Sequence, residues 1–227
     1  MKSALHQTRC WVFDLDNTLY PAACNLFVQV DRRIQQYIMD MFDAGPEEAR
    51  TIQKSFFHEY GTTLNGLMTN HGVDPGGYLA YVHDIDVSPV QPNPALDAVL
   101  ARLPGRKLVY TNGSVSHAER VMERLGVSRH FEGIFDIVAA NYVPKPEPAA
   151  FDAFIERYAV EPPRAVMVED IARNLAPAHA RGMTTVWIRS DHHWSGGSET
   201  DPHIHHVIDD LADWLTAVAD EMPTTER

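Results

Sequence analysis

Short runs of apolar residues recur along the chain, and segments with helical periodicity separate most of them. The runs cover residues 10–13, 107–110, 134–138, 165–168, 184–188 and 206–208. Continuous apolar runs of this length are typical of parallel strands that are buried on both faces. Strands that alternate with helices predict an α/β fold with a doubly wound, Rossmann-like parallel sheet.

Helical signals fill the intervals between the later strands. We expect helices over residues 114–125, 147–158, 172–181 and 210–221. Ser114 is a suitable N-cap for the first of these helices. Gly126 and Gly182 are suitable residues to end the first and the third, because glycine adopts the left-handed conformation that follows many helices.

Residues 21–88 show a different pattern, with helical periods and no convincing strand. The helical periods cover residues 26–42, 46–60 and 75–83. Prolines at positions 89, 92 and 94 mark the return to the alternating pattern. We therefore predict two parts: an α/β core built from residues 1–20 and 89–227, and an all-helical cap inserted directly after the first strand.

The charge balance narrows the range of partners. The chain has 19 Lys and Arg residues against 31 Asp and Glu residues, a net charge of -12. An acidic surface of this kind argues against nucleic acid or an anionic membrane as the main partner. The sequence also lacks the apolar stretch of a signal peptide and any run of about 18 apolar residues, so we expect a cytoplasmic protein. The oligomeric state is left open.

Two aspartates, Asp14 and Asp16, stand one residue apart directly after the first predicted strand. In this position Asp14 could attack a phosphorus atom as a nucleophile, and Asp16 could protonate the leaving oxygen and later activate water. Two carboxylates would repel an anionic phosphate, so the site requires a cation, for which Mg²⁺ is well suited. Taken alone, the pair is equally compatible with a turn or a helix cap.

Three further polar segments follow later predicted strands. Thr111 and Asn112 precede a predicted helix, where hydroxyl, amide and free N–H groups could bind a phosphate. Lys145 stands between two prolines and could supply a fixed cation, while Glu169 and Asp170 are suitable metal ligands. Each segment also has an ordinary interpretation, such as helix capping or a solvated lysine. Their shared position at strand ends favours a phosphoryl-transfer site.

These segments together resemble the four motifs of the haloacid dehalogenase (HAD) superfamily. The matching stretches are residues 13–19, 111–112, 145 and 169–170. The resemblance covers nearly the whole chain and implies a helical cap of the superfamily's first type. It further implies that Asp14 is the nucleophile, that Asp16 is the acid and base, and that Lys145 stabilises the transferring group. Thr111 and Asn112 would bind the phosphate.

The resemblance also implies a metal site and a class of substrate. Mg²⁺ would be held by the Asp14 carboxylate, the Asp16 backbone carbonyl and Asp170, with Glu169 acting through water or as a second carboxylate. Thr18 and Asn174 would support the loops. An aspartate at position 16 favours phosphate esters, because dehalogenases and phosphonatases of the superfamily lack it.

A closer resemblance is to the pyrimidine 5′-nucleotidases of this superfamily, which implies UMP, CMP or deoxy analogues as substrates. It is carried by residues 14–21 and 60–67, by 111–113 with 117–118, and by 168–170 with 174–175. In the second of these stretches, Thr62, Thr63 and Asn65 could bind a base edge or the ribose. The same stretch could instead be a helix–loop–helix corner with capping threonines.

Other interpretations stay open. The substrate could be pyridoxal phosphate, a flavin nucleotide or a sugar phosphate, or the protein could be a phosphomutase. A non-catalytic phosphate-binding protein is disfavoured, because all four motif positions hold reactive residues. Five histidines near the C-terminus lack the arrangement of a structural zinc site, so we interpret them as surface or loop residues. They are His192, His193, His203, His205 and His206.

Overall fold

A computed structural model of the protein describes residues 5–190 and 196–222. Its centre is a six-stranded parallel sheet in the order β3-β2-β1-β4-β5-β6. The strands are β1 (Cys10–Phe13), β2 (Arg106–Tyr110), β3 (Gly133–Phe135), β4 (Ala165–Glu169), β5 (Thr184–Ile188) and β6 (His206–Ile208). The predicted doubly wound α/β fold is therefore confirmed, with a strand at each of the six predicted positions.

The helices lie between the strands and in one block after β1. They are α1 (Leu26–Phe42), α2 (Pro46–Tyr60), α3 (Thr63–His71), α4 (Pro75–Val82), α5 (Pro94–Arg102), α6 (Val115–Leu125), α7 (Pro148–Tyr158), α8 (Ala176–Ala180) and α9 (Leu211–Glu221). Ser114 caps α6 by accepting a hydrogen bond from the backbone N–H of His117, and Gly126 follows its end in the left-handed conformation. No helix in the described part of the chain is long and apolar enough to cross a membrane.

Alternate residues of β1 point to opposite faces of the sheet and join different hydrophobic clusters. Trp11 and Phe13 pack with residues of α5, α6 and α9. Cys10 and Val12 pack with residues of α7 and α8 on the other face. Because both faces are covered, the strand is apolar at every position, which explains the continuous runs in the sequence.

Helices α1 to α4 follow one another with no strand between them and form a helical block. This block packs around a third hydrophobic cluster. Its members are Leu64, Leu67, Tyr78, Leu79, Val82 and Ile137. Ile137 follows β3 and connects this cluster to the sheet. The division of the chain at residues 21 and 89 stays a prediction, although the helical character of residues 26–82 is confirmed.

Three details of the sequence prediction are wrong. The predicted helix over 172–181 is a 3₁₀ turn, Ala172–Leu175, followed by the short α8. Pro177 lies in the first turn of α8, and its missing N–H prevents a continuous helix from residue 172. The strand predicted over 134–138 ends at Phe135, because the Asp136 carboxylate accepts hydrogen bonds from the N–H groups of Val115 and Ala139 and turns the chain. Helices α3 and α5 were not predicted.

Candidate active site

The carboxyl ends of three neighbouring strands bring three polar segments to one edge of the sheet. Asp14 follows β1 and donates its N–H to the carbonyl of Val168 at 2.9 Å. Thr111 follows β2, and Glu169 is the last residue of β4. Strand order 2-1-4 places β1 in the centre, so Asp14 lies between the segments that follow its two neighbours.

Lys145 reaches this edge from the loop before α7. Its Nζ donates to Asp14 Oδ1 at 2.6 Å, to Glu169 Oε2 at 2.6 Å and to the carbonyl of Tyr110 at 2.9 Å. Its side chain is only 2% exposed. Burial alone would lower the pKa of Lys145, but the adjacent carboxylates outweigh burial and raise the pKa above its ordinary value.

Asn112 fixes the position of this lysine. The Asn112 Oδ1 accepts the N–H of Lys145 at 2.8 Å, and its Nδ2 donates to the carbonyl of the same residue at 3.3 Å. Both ends of the amide are therefore engaged with the Lys145 backbone. Thr111 is buried, and its Oγ1 accepts the N–H of Gly113 at 2.9 Å, which shapes the turn before α6.

Three buried carboxylates form the one group of possible metal ligands found among residues 5–190 and 196–222. One oxygen each of Asp14, Glu169 and Asp170 lies within 4.8 Å of the others. Burial, followed by the charge of Glu169, raises the pKa of Asp14 to about 7 and raises that of Asp170 well above its ordinary value. An all-oxygen, carboxylate-rich set of this kind fits Mg²⁺, whose charge would relieve the repulsion between the three carboxylates.

The Asp170 loop is held by two further hydrogen bonds. Trp187 donates its indole N–H to the Asp170 carbonyl at 2.9 Å, and the N–H of Ile171 donates to Glu169 Oε1 at 3.2 Å. Asn174, predicted as a supporting residue, is buried one turn later. Thr18, the other predicted supporting residue, is also buried, and its Oγ1 has no hydrogen-bond partner in the part of the chain that the structure describes.

Asp16 lies beside this cluster in a different environment. Its Oδ1 accepts hydrogen bonds from the hydroxyl of Tyr20 at 2.6 Å and from Nε2 of His117 at 2.8 Å. Burial alone would raise the pKa of Asp16, but His117 and Tyr20 outweigh it and hold the pKa at about 2. Sequence reasoning assigned no role to Tyr20 or His117, although both lie inside segments that carry the resemblance.

A cleft of about 590 Å³ separates the helical block from the loops that carry Lys145 and Asp170. Its walls include Phe57, Tyr60 and Asn65 from the block, and Pro144 and Arg173 from the α/β part. Pro144 directly precedes Lys145. Lys145 and the three carboxylates of the cluster do not themselves line the cleft, which offers aromatic and polar side chains to a bound molecule.

The three residues proposed to contact substrate in the helical block are engaged in local hydrogen bonds. Thr62 is the N-cap of α3 and accepts the N–H of Asn65, and the Thr63 hydroxyl donates to the Gln53 carbonyl at 3.3 Å. The amide of Asn65 donates to the Tyr60 carbonyl at 3.3 Å. Of the three, Asn65 lines the cleft. The capping interpretation thus describes Thr62, while the Thr63 hydroxyl connects α3 to α2, and contact of these residues with substrate stays a prediction.

The described histidines near the C-terminus lie apart from the cluster. His203 Nε2 is 3.1 Å from the Ala172 carbonyl, His205 Nδ1 accepts the N–H of Thr185, and His206 begins β6. His192 and His193 lie outside the described residues.

Comparisons with known proteins agree with this geometry. A family model described as haloacid dehalogenase-like hydrolase matches residues 8–182. Phosphate metabolism protein 8 of Saccharomyces cerevisiae is 27% identical over 193 residues, and the alignment covers 77% of this chain and 60% of that protein. Fructose-1-phosphate phosphatase YqaB of Escherichia coli is 33% identical over 103 residues, which are 44% of this chain and 53% of that protein. The alignments thus span about half to three-fifths of these relatives.

Solved structures share the fold. The HAD-type protein YfnB of Bacillus subtilis, solved in a magnesium-bound form, superimposes with a TM-score of 0.60 and 14% identity, covering 93% of this chain and 98% of that chain. At this identity the likeness concerns the arrangement of strands and helices. It places the present sheet among folds in which the edge beyond the strands' carboxyl ends binds the ligand.

Proposed function

The chain belongs to the haloacid dehalogenase-like hydrolase family, and on that premise we propose that it is a Mg²⁺-dependent phosphatase that acts on small organic phosphates. One observation carries the proposal: Lys145 joins Asp14 to Glu169 in a buried cluster that also includes Asp170, with Asp16 two residues from Asp14. A nucleophile, a fixed cation, metal ligands and a second carboxylate are the parts that phosphoryl transfer requires.

The reaction has two steps, and each uses residues of this chain. Asp14 attacks phosphorus in line with the leaving oxygen, so a P–O bond to Asp14 forms while the ester P–O bond breaks. Asp16 is ionised in the free site, takes up a proton when the phosphate anion binds beside it, and gives that proton to the departing oxygen. Water then attacks the phosphoryl-Asp14, and Asp16 takes a proton from it as free phosphate leaves. Lys145 neutralises the equatorial oxygens in both steps. Asp14, the backbone carbonyl of Asp16 and Asp170 would hold Mg²⁺, with Glu169 in contact directly or through water, and the bound ion would add positive charge near the transferring group.

For the substrate we propose pyrimidine nucleoside monophosphates, UMP and CMP above all. The aromatic and amide groups of the cleft support this choice, since Phe57 and Tyr60 can pack against a base and Asn65 can pair with its edge. Residues 21–88 would act as the cap that covers the site and excludes water. Thr62 and Thr63 would contribute by shaping the turn that presents Asn65.

A second candidate is a sugar phosphate. It is favoured by the similarity to the E. coli protein that carries the name fructose-1-phosphate phosphatase. The polar groups of the cleft, including Arg173 and Glu147, suit the hydroxyls of a sugar.

The test is phosphate release from a panel of UMP, CMP, purine nucleotides, fructose 1-phosphate and pyridoxal phosphate, with Mg²⁺ and with chelator. We expect Mg²⁺-dependent release, highest for UMP or CMP, and none from the Asp14→Asn variant. Higher turnover of fructose 1-phosphate would select the second candidate. Unchanged turnover by Asp14→Asn would remove the aspartyl-phosphate mechanism.

A further inference from the structure

The two hydrogen bonds to Asp16 converge on one oxygen atom. Tyr20 and His117 both donate to Oδ1, at 2.6 and 2.8 Å. No described residue donates to Oδ2, and the Asp16 side chain retains 17% exposure. The carboxylate is therefore held through one oxygen, and the other is left for a ligand.

The polar contact that His117 makes is directed at Asp16. It lies in the first turn of α6, and its side chain is completely buried. Its Nδ1 has no hydrogen-bond partner among the described residues, so the only polar contact of the ring is the one through Nε2 to Asp16. A buried polar atom without a partner costs free energy, and the fold has this cost at His117 Nδ1 while Nε2 keeps its hydrogen bond to Asp16.

A second histidine fixes the plane of the first. The ring of His83 stacks on His117 with centroids 4.6 Å apart and an interplanar angle of 10°. His83 is in turn held by Ser114, whose Oγ lies 2.9 Å from Nδ1, and Arg120 donates to the His83 carbonyl at 2.9 Å. His83 is the C-cap residue of α4, so the stack also connects the helical block to the start of α6.

We propose that His117 is the positioning residue of Asp16: it orients the carboxylate so that Oδ2 faces the ester oxygen, with His83 stacked behind it and Tyr20 as the second donor. The inference rests on the proposed function, because an orienting contact matters only if Asp16 exchanges protons with substrate. Proton transfer depends steeply on geometry, and a displacement of about 1 Å can lower the rate about 10²-fold.

Two substitutions at the same position separate orientation from packing. In His117→Gln the amide nitrogen extends about as far from the backbone as Nε2 and can donate to Asp16. In His117→Asn it extends only as far as Nδ1 and falls short. A matched control is His130→Asn, since His130 Nε2 also contacts an aspartate, Asp97, at 2.7 Å but lies away from the site.

The readout is kcat/KM for two esters that differ in their need for a proton. One is 4-nitrophenyl phosphate, whose phenolate leaves readily without protonation. The other is the alkyl phosphate that the wild type hydrolyses fastest. General acid catalysis contributes about 10²- to 10⁴-fold when the leaving group is poor. A loss confined to the alkyl ester is a signature that general loosening of the fold does not produce.

We expect His117→Asn to lower kcat/KM about 10²-fold for the alkyl phosphate and less than tenfold for the aryl phosphate. His117→Gln should recover most of the difference, and His130→Asn should leave the ratio of the two esters unchanged. Equal losses on both esters in His117→Asn, or no loss at all, would overturn the positioning role while leaving the phosphatase assignment in place. Absence of wild-type turnover on both esters would overturn both.

Discussion

The ammonium group of Lys145 lies 2.6 Å from Asp14 and 2.6 Å from Glu169, and a carboxylate oxygen of Asp170 lies within 4.8 Å of oxygens of both these residues. The charge of Lys145 thus acts on three buried carboxyl groups that lie close together. The pKa values of Asp14 and Asp170 are raised accordingly, first by burial and then by Glu169. The site therefore favours binding of a positive charge, either a proton or a divalent cation. Measurements of stability and turnover can detect this preference.

Lys145→Met removes that cation. Breaking a buried ion pair by deleting one partner costs about 3–5 kcal/mol, because the remaining charges are left uncompensated. We expect the free energy of unfolding to fall by this amount, and kcat/KM to fall about 10²-fold or more, since charge stabilisation of the transferring group is lost. Chemical denaturation with and without Mg²⁺, alongside turnover, checks both.

Lys107→Met is a matched control for this loss. Lys107 is also buried, but its Nζ donates to the carbonyls of Leu103 and Gly105 and contacts no carboxylate of residues 5–190 or 196–222. Added Mg²⁺ should narrow the stability deficit of Lys145→Met and leave that of Lys107→Met unchanged. If the loss of stability in Lys145→Met does not change with Mg²⁺, the lysine and the metal ion do not compensate the same carboxylates, which would contradict the proposed site.

Asp14 should make the metal-free protein less stable as pH rises. Its pKa is raised from 3.8 to about 7, so the folded state binds more protons than the unfolded state between these values. Stability contributed by the protonated carboxyl is full below about pH 4 and is lost as pH rises through 7. In Asp14→Asn this contribution disappears, so the wild type should lose stability relative to the variant across this interval.

The pKa shift of His83 changes stability with pH in the opposite direction to that of Asp14, so the wild type is compared with Asp14→Asn. Burial, then His117, lowers the pKa of His83 to about 4, so its contribution is lost as pH falls through that range. Both proteins contain His83, so its effect cancels when the urea midpoint of the variant is subtracted from that of the wild type. This difference is measured at pH 5 and at pH 8, and its change reports the effect of Asp14. An equal difference at both pH values would contradict the raised pKa.

The edge of the sheet that carries the site, and the acidic residues on it, could be predicted because short sequence patterns locate both. Apolar runs located the strands, and Asp14 and Glu169 are directly attached to strands whose order follows from the fold. The partner of Asp16 could not be predicted, since His117 lies 101 residues away and any buried histidine would give the same sequence signal. Asn112 was expected to bind phosphate, whereas its amide is engaged with the Lys145 backbone.

Asp170→Asn should remove the stabilisation that Mg²⁺ gives. A ligand that binds only the folded state raises its stability with concentration, so the wild-type Tm should rise as Mg²⁺ is added. Asparagine keeps the size of the side chain but removes the charge. The control is Asp136→Asn, a buried carboxylate that binds backbone N–H groups outside the cluster. Its Tm is expected to be lower, with the Mg²⁺-dependent rise retained; a retained rise in Asp170→Asn would exclude this residue as a ligand.

Gly66 is the position where the helical block tolerates no side chain. A Cβ built there would lie 2.4 Å from Cγ and 2.5 Å from Cβ of Phe56, so α2 and α3 would have to separate. Overpacking of this kind costs about 1–3 kcal/mol, and the helix propensity gained by alanine offsets at most about 1 kcal/mol of it. We expect Gly66→Ala to lower the free energy of unfolding measured by urea denaturation.

The matched control is Gly76→Ala in α4, where the nearest atom to a built Cβ is Asp74 Oδ2 at 3.6 Å, an ordinary contact. There alanine should be neutral or stabilising by up to about 1 kcal/mol. Because Gly66 follows Asn65 at the cleft, Gly66→Ala should also raise KM for the preferred phosphate ester more than it lowers kcat, if the helical block binds the leaving group. A fall in kcat with unchanged KM would instead place the effect at the carboxylate cluster, and would argue against substrate recognition by α3.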